Sequence, residues 1–193
     1  WGALRSVGSK TSHGSESTGV IPFMKVVDAE MLAFSQGVTR RGSYAAYLDI
    51  SHPEIEEFLD VRKPTGGDIN RKSINLHHAV VIPDAFMQLI DRATREEGFD
   101  DSWDLVDPHS GEVKKTVSAK TLWVKLIQNR VETGEPYIMF GDAVDEALPE
   151  FQKNLGLKVN QSNLCSEITL PTNDDRTAVC CLSSVNLEKF DEW

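Results

Sequence analysis

The stretch SINLHHAVVIPDAFMQLIDRATREEG, residues 73–98, joins two kinds of sequence pattern. Its first part, residues 73–82, is nearly continuous in apolar and β-branched side chains, which is typical of a strand covered on both faces. Pro83 then opens a segment with helical spacing of apolar residues that runs to Gly98. A buried strand that leads directly into a helix predicts one βα unit of a parallel sheet.

The same alternation of strand and helix patterns extends over most of the chain. Strand-type runs are SYAAYLDI (43–50) and PYIMF (136–140), and helical patterns are PFMKVVDAEMLAFSQG (22–37), HPEIEEFLDVRK (52–63) and SAKTLWVKLIQNRVETG (118–134). Strands that alternate with helices predict a mostly parallel sheet with right-handed crossovers. The fold class is therefore α/β, and an open doubly wound sheet and a closed barrel fit the pattern equally well.

Three local expectations follow from these segments. The helix at 22–37 should bury an apolar face, and the residues at helical spacing on that face are Phe23, Val27, Met31 and Phe34. The carboxylates of HPEIEEF should lie on a solvated helix face. The Gly- and Ser-rich stretch SKTSHGSESTG, residues 9–19, should form a flexible loop.

Composition excludes several classes of function. The chain has 193 residues, a formal net charge of −10 and a sequence pI near 4.9, which argues against binding a nucleic-acid polymer. No run of 18 or more apolar residues and no leader-like segment is present, so we expect a cytoplasmic protein that does not span a membrane. Three cysteines are an odd number and too few for a disulfide scaffold, which favours thiols in a reducing compartment.

The stretch QSNLCSEITLPT, residues 161–172, carries the most suggestive chemistry. If this stretch is extended, Asn163, Cys165 and Glu167 share one face, and the outer two Cα atoms lie roughly 13 Å apart. An amide, a thiol and a carboxylate so arranged would hold a small polyhydroxylated ring over the sulfur. Taken alone, the pattern is more often a structural cysteine between unrelated polar residues.

A second group of cysteines follows in TAVCCLSSVNL, residues 177–187. Cys180 and Cys181 are adjacent, and a Cα separation of about 3.8 Å is shorter than disulfides usually adopt. Extended geometry also sends the two side chains to opposite faces, so at most one can face Cys165.

Several segments together resemble the large, catalytic subunit of class I ribonucleotide reductase. They occur in the family's order: STGVIPF (17–23), SQGVTRRGSYAAYLDISHPEIEEFL (35–59), NLCSEI (163–168) and VCCLSSVNL (179–187). The resemblance implies a ten-stranded α/β barrel with the catalytic cysteine on a central loop. Residues 1–193 would form part of that barrel domain, without the N-terminal cone domain, an upstream redox cysteine and the C-terminal part of the barrel. Such a fragment is expected to be inactive alone.

The resemblance also implies roles for individual residues. Cys165 corresponds to the cysteine that becomes a transient thiyl radical and removes the 3′ hydrogen of the ribose. Glu167 corresponds to the base on the 3′ hydroxyl, and Asn163 to the residue that hydrogen-bonds the sugar hydroxyls. Cys180 corresponds to the cysteine that forms a disulfide when the 2′ carbon is reduced. The substrate-binding segment would be residues 163–167, which adds Leu164 and Ser166.

A second implied site is allosteric. SQGVTRRGS, residues 35–43, resembles the family's specificity loop, in which Gln36 and either Arg40 or Arg41 would reach the substrate base. A solvated pair of charges in a loop is the ordinary explanation of such an arginine doublet. Residues 9–19 fall where another effector-site loop lies. The effectors of the family are deoxynucleoside triphosphates and ATP.

Cofactors and partners follow from the same resemblance. His77 and His78 are adjacent in a predicted strand, point opposite ways and have no further ligand nearby, so we expect no metal site in this chain. The dinuclear metal and radical cofactor would belong to a separate small subunit. Further expected partners are a ribonucleoside diphosphate, thioredoxin or glutaredoxin, and a second large subunit in a homodimer. A viral protein of this kind would act in the host cytoplasm.

Three alternatives to this interpretation stay open on sequence alone. An adenosylcobalamin-dependent class II reductase has similar active-site spacing. However, the NLC form of the motif at residues 163–165 resembles class I, whereas the NPC form is associated with class II. A noncatalytic nucleotide-binding piece of a split reductase is the second alternative. The third is a cysteine hydrolase that pairs Cys165 with His77 or His78, which requires hydrogen-bond contact between the base and the thiol.

Overall fold

The computed structural model describes residues 1–34 and 37–192. Its helices are α1 (Val20–Ala33), α2 (Ile55–Leu59), α3 (Asp84–Arg95), α4 (Ala119–Thr133), α5 (Gly141–Glu146) and α6 (Glu150–Asn154). Its strands are β1 (Ala45–Asp49), β2 (His77–Ile82), β3 (Ser102–Val106), β4 (Val113–Ser118) and β5 (Tyr137–Phe140). Two 3₁₀ turns lie at Ile69–Arg71 and Leu187–Glu192.

The three strands predicted from sequence form one parallel sheet. Their order is β1-β2-β5, and both pairings are parallel. Helix α2 lies in the connection from β1 to β2, while α3 and α4 lie between β2 and β5. This arrangement confirms the βα units predicted from the alternating periodicity.

An antiparallel hairpin was not predicted. Strands β3 and β4 pair antiparallel between α3 and α4, with a register shift at Leu105/Val106. Most of β4 is exposed, so its sequence VKKTVS lacks the apolar content that marks a buried strand. Asp107 begins the connection between the two strands, and its backbone N–H donates to Glu112 O.

Helix α1 buries a different face from the one predicted. The buried residues are Val20, Ile21, Met24 and Asp28. Phe23 is 53% exposed and Phe34 is 65% exposed, so the predicted apolar face is wrong. The helix begins at Val20, before Pro22, and the aliphatic residues of this first turn pack into the main core. The larger aromatic side chains therefore point outwards.

Two buried carboxylates fix the N-terminal segment. Asp107 accepts hydrogen bonds from the hydroxyls of Ser6 and Ser9, at 2.7 and 2.6 Å. Glu54 is 3% exposed and accepts from the backbone N–H of Val7 and Val20, which caps α1. The expectation of a solvated face is thus wrong for Glu54, because this carboxylate satisfies the free N–H groups at the start of a neighbouring helix.

The segment at residues 9–19 is more ordered than its composition predicts. Lys10 and Glu16 form an isolated antiparallel bridge and an ion pair of 2.7 Å. Backbone hydrogen bonds join Gly8 to Ser17 and Thr11 to Ser15. The segment is therefore a small hairpin.

No helix in residues 1–34 and 37–192 combines the length and apolar character that crossing a bilayer requires.

Candidate active site

The parallel sheet has a second face, opposite the main core, and this face borders the candidate site. Tyr47 on β1 pairs in register with Ala79 on β2, which pairs in turn with Tyr137 on β5. The two tyrosines therefore flank a small residue on one face of the sheet. Tyr47, Ala79 and Met139 form a cluster of buried residues separate from the main core.

The segment that carries Cys165 folds over this face as a tight turn. We call residues Asn163–Ser166 the cysteine turn. The backbone N–H of Ser166 donates to Asn163 O at 3.1 Å, and Ser166 has a φ of 65°. Ser162, Ser166 and Thr169 line a cavity of about 320 Å³ together with Tyr47 and Tyr137. The cysteine turn is thus separated from the sheet by a cavity that both line.

The extended conformation considered for this segment is wrong. The side-chain Oδ1 of Asn163 accepts from the backbone N–H groups of Glu167 and Ile168, each at 3.1 Å. These bonds fold the chain back on itself, so the roughly 13 Å separation expected for a strand does not apply. An Asn side chain competes well for nearby backbone donors, which favours a turn over a strand.

The folded turn leaves the reactive groups accessible. Cys165, Leu164, Ser166 and Glu167 are all exposed. Because Asn163 Oδ1 faces backbone donors, its Nδ2 is oriented away from them, and among the described residues it has no hydrogen-bond partner. Asn163 therefore presents a free amide donor beside an exposed thiol.

Cys180 approaches the same segment from the C-terminal side. Asn163 and Cys180 line one cavity of about 170 Å³, together with Gln161, Ser162, Ile168, Leu170 and Ala178. Of the adjacent pair, Cys180 contributes to this lining and Cys181 does not. All three cysteines are free thiols and are exposed.

The arginines of the predicted specificity loop lie far along the chain from the cysteine turn and are solvent-exposed. Arg40 and Arg41 are both exposed, and Gln36 lies outside the described residues. Gly42 follows them where the chain passes the end of α1, and a side chain there would collide with the carbonyl oxygens of Met31 and Phe34. Only glycine allows so close an approach.

The two histidines meet one carboxylate, which the sequence pattern did not predict. Glu135 is 6% exposed, and its two oxygens contact Nδ1 of His77 at 2.5 Å and Nδ1 of His78 at 3.0 Å. Arg62 donates to the same carboxylate at 2.6 Å. Adjacent strand residues point to opposite faces, but Glu135 lies at the strand end, where one carboxylate reaches both rings.

These contacts determine the charge of the cluster. Burial would raise the pKa of Glu135, but hydrogen bonds from His78 and His77 and the charge of Arg62 outweigh it and lower the pKa to about 2. Burial lowers the pKa of His78. Among the described residues, no group of three His, Cys, Asp or Glu side chains is arranged to hold a metal ion.

Neither histidine is placed as a base for Cys165. Both Nδ1 atoms are bonded to Glu135, and no hydrogen bond joins Cys165 to either ring among the described residues. Nucleophilic catalysis by a thiol needs such a contact. The geometry therefore speaks against the cysteine hydrolase alternative.

Comparison with known proteins identifies the family. The family model described as "Ribonucleotide reductase, barrel domain" matches residues 1–192. The chain belongs to the ribonucleotide reductase barrel family. The class Id ribonucleotide reductase alpha subunit of Actinobacillus ureae is similar in structure, with a TM-score of 0.72 and 32% identity over 100% of this chain and 30% of that one.

Curated relatives of this chain are described as large subunits of ribonucleoside-diphosphate reductase. The putative ribonucleoside-diphosphate reductase large subunit of Frog virus 3 is 55% identical over 179 residues, which cover 93% of this chain and 30% of the relative. The ribonucleoside-diphosphate reductase large subunit of Invertebrate iridescent virus 3 is 46% identical and covers 92% and 36% respectively. The chain thus spans about a third of the length of these relatives. The α/β reductase fold expected from the sequence is confirmed.

Sequence reasoning missed part of the surroundings of the cysteine turn. Tyr47 and Tyr137 were recognised only as strand residues, and Glu135 was not singled out at all. The register of the strands, which a single sequence does not reveal, is what brings the tyrosines to one face. The glutamate precedes the strand PYIMF, and its position next to a predicted buried strand was the available signal.

Proposed function

We propose that this chain is part of the catalytic barrel of a class I ribonucleotide reductase large subunit, which reduces ribonucleoside diphosphates to 2′-deoxyribonucleoside diphosphates. The cysteine turn supports this proposal most directly. It presents an exposed thiol at Cys165, a free amide donor at Asn163 and a second thiol at Cys180 beside the same segment. The proposal covers residues 1–193 as one part of a larger domain that also supplies an upstream redox cysteine.

Cys165 begins and ends the reaction. As a thiyl radical its sulfur takes the hydrogen atom from C3′ of the ribose, which forms an S–H bond and leaves a radical on the sugar carbon. After the 2′ carbon has been reduced, the same S–H bond returns a hydrogen atom to C3′ and regenerates the sulfur radical. An exposed thiol is required for both steps, and Cys165 is exposed.

The polar neighbours of Cys165 handle hydroxyl groups. Glu167 is exposed and acts as the base on the 3′ hydroxyl, for which its carboxylate needs only hydrogen-bond reach. Asn163 donates through Nδ2 to a sugar hydroxyl oxygen, because its Oδ1 is held by the backbone of the turn. One side chain thus both folds the turn and binds the substrate.

Cys180 supplies reducing equivalents. The 2′ hydroxyl leaves as water, and two electrons come from Cys180 and the upstream cysteine, which become a disulfide. The disulfide is reset by thiol exchange, for which thioredoxin or glutaredoxin is the external donor. The balance is one ribonucleotide and one dithiol consumed, with one deoxyribonucleotide, one disulfide and one water formed.

The remaining assignments concern partners and control. A dinuclear metal cofactor in a small subunit that docks to the large one would supply the radical. Large subunits pair as a homodimer, and the enzyme acts in the cytoplasm, or in the host cytoplasm for a viral protein. Deoxynucleoside triphosphates and ATP act at the hairpin of residues 9–19 and at the specificity loop with Gln36, Arg40 and Arg41. Each effector shifts substrate preference by its differential contacts with the loop arrangements.

The test is an assay of the complete subunit with a nucleoside diphosphate, the small subunit and a dithiol. Cys165→Ser, Glu167→Gln and Cys180→Ser should each abolish deoxynucleotide formation, while Cys180→Ser should still permit radical chemistry on the sugar. Cys181→Ser is the matched control and should retain activity. Full turnover by Cys165→Ser would refute the proposal, and turnover with adenosylcobalamin but without the small subunit would assign the enzyme to class II.

A further inference from the structure

The Glu135 cluster consists of Glu135 with Arg62, His77 and His78, and the proposed chemistry leaves it unused. Its carboxylate accepts four hydrogen bonds: from Arg62, from the Nδ1 atoms of His77 and His78, and from the backbone N–H of His78. A nearly buried carboxylate with four donors is held in one position. The cluster is therefore a rigid point at the start of β2 and β5.

The cluster reaches Tyr137 through His77. The rings of His77 and Tyr137 are stacked, with centroids 6.0 Å apart and an interplanar angle of 8°. His77 cannot rotate without breaking its 2.5 Å bond to Glu135. A fixed imidazole therefore supports one face of the phenol ring.

Tyr137 in turn borders the cysteine turn. It lines the 320 Å³ cavity together with Ser162 and Ser166, which precede and follow Cys165 in the chain. Burial raises the pKa of Tyr137, and the negative charge of Glu135 raises it further. Tyr137 therefore faces the cysteine turn across this cavity.

We propose that Glu135 is a positioning residue that, through His77, fixes the ring of Tyr137 in the wall of the cavity that the cysteine turn also lines. The kcat measurement described below rests on the proposed reductase activity, whereas the fluorine measurement of Tyr137 does not. The positional link itself is a property of the described contacts.

Two substitutions break the link in different ways. Glu135→Gln places an amide NH₂ where two donors of His78 now point, so the cluster loses its fixed geometry. His77→Phe keeps a flat ring beside Tyr137 but removes the bond to Glu135. Glu54→Gln is the matched control, because Glu54 is also a buried, ion-paired carboxylate but serves α1 and the N-terminal segment.

The experiment places 3-fluorotyrosine at position 137 of the complete subunit and records its fluorine resonance. Glu135→Gln and His77→Phe should shift and broaden the resonance, whereas Glu54→Gln should lower the melting temperature and leave the resonance in place. In the reductase assay, Glu135→Gln should lower kcat about tenfold and change KM by less than about twofold. The reason is that displacement of the reactive Cys165 thiol slows the chemical step more than it weakens substrate binding.

The outcomes separate the two claims. An unchanged resonance in Glu135→Gln, or an equal shift in Glu54→Gln, would overturn the positioning function. An unchanged kcat in Glu135→Gln would overturn it as well. A resonance that responds as expected in a subunit that makes no deoxynucleotide, even without substitutions, would support the link and refute the proposed reductase activity.

Discussion

At the scale of single residues, Asn163 links the fold of the cysteine turn to the chemistry proposed for it. Its Oδ1 holds two backbone N–H groups, and its Nδ2 remains a donor for a ligand. One amide side chain can do both only in the orientation that the backbone donors impose. The residue was predicted from the sequence as a substrate contact, but its structural function in the turn was not.

We expect Asn163→Asp and Asn163→Ala to impair deoxynucleotide formation for different reasons. Asp keeps the acceptor for both N–H groups and loses the donor, so deoxynucleotide formation should fall while the turn persists. Ala removes the acceptor as well and leaves two N–H groups without their partner, at about 1 kcal/mol for each lost hydrogen bond. Hydrogen exchange at residues 167 and 168 measures the difference: it should accelerate in Ala and stay slow in Asp. Equal exchange in both variants would contradict this account.

The charge of Glu135 predicts a pH dependence of stability. Its pKa falls from about 4.5 to about 2 on folding, so the ionised carboxylate stabilises the fold fully above pH 4.5. That contribution, up to about 3 kcal/mol, is lost as the pH falls towards 2. Thermal denaturation of the wild type and Glu135→Gln should therefore show a gap in melting temperature that is widest above pH 5 and narrows on acidification. A gap independent of pH would be the contrary result.

At the scale of elements, helix α1 presents an apolar face to solvent. Phe23 and Val26 are 53% and 65% exposed, and Phe34 near the helix end is 65% exposed. Large apolar side chains grouped on one exposed helix face often mark a contact with another chain. In the proposed homodimer, this face is a natural contact between large subunits.

Charge on this face should weaken self-association without unfolding the helix. Phe23→Lys and Val26→Lys place cations on the exposed apolar face, while Gln128→Lys adds the same charge at an exposed position of α4 and is the control. Sedimentation at micromolar concentration should show a shift towards monomer for the first two variants and none for the control. Unchanged association of all three would exclude α1 from the interface.

How far the elements were predictable depended on their surroundings. Strands β1, β2 and β5 were predicted because burial leaves a continuous apolar run in the sequence. The β3–β4 hairpin was missed because an exposed strand such as VKKTVS is free to be polar. The buried face of α1 was predicted wrongly because tertiary packing of its first turn, and not the size of its aromatic side chains, decides which side is covered.

At the scale of the whole molecule, the described chain has one sheet face covered by the main core and another that borders the cysteine turn. The sequence motifs identified the reductase family because several of them occur in order, although each alone is weak evidence. They did not reveal how the turn meets the sheet, because strand register and the folding of residues 161–169 depend on contacts between distant segments. The geometry of the site was thus not predictable from one sequence, and the roles assigned to its residues stay predictions.

The central claim is that the sulfur of Cys165 takes a hydrogen atom from the ribose. The most direct measurement compares turnover of a ribonucleoside diphosphate and its 3′-deuterated form by the complete subunit with its small subunit. We predict slower turnover of the deuterated substrate by the wild type and no product from either substrate with Cys165→Ser. Deoxynucleotide formation by Cys165→Ser, with or without an isotope effect, would contradict the claim.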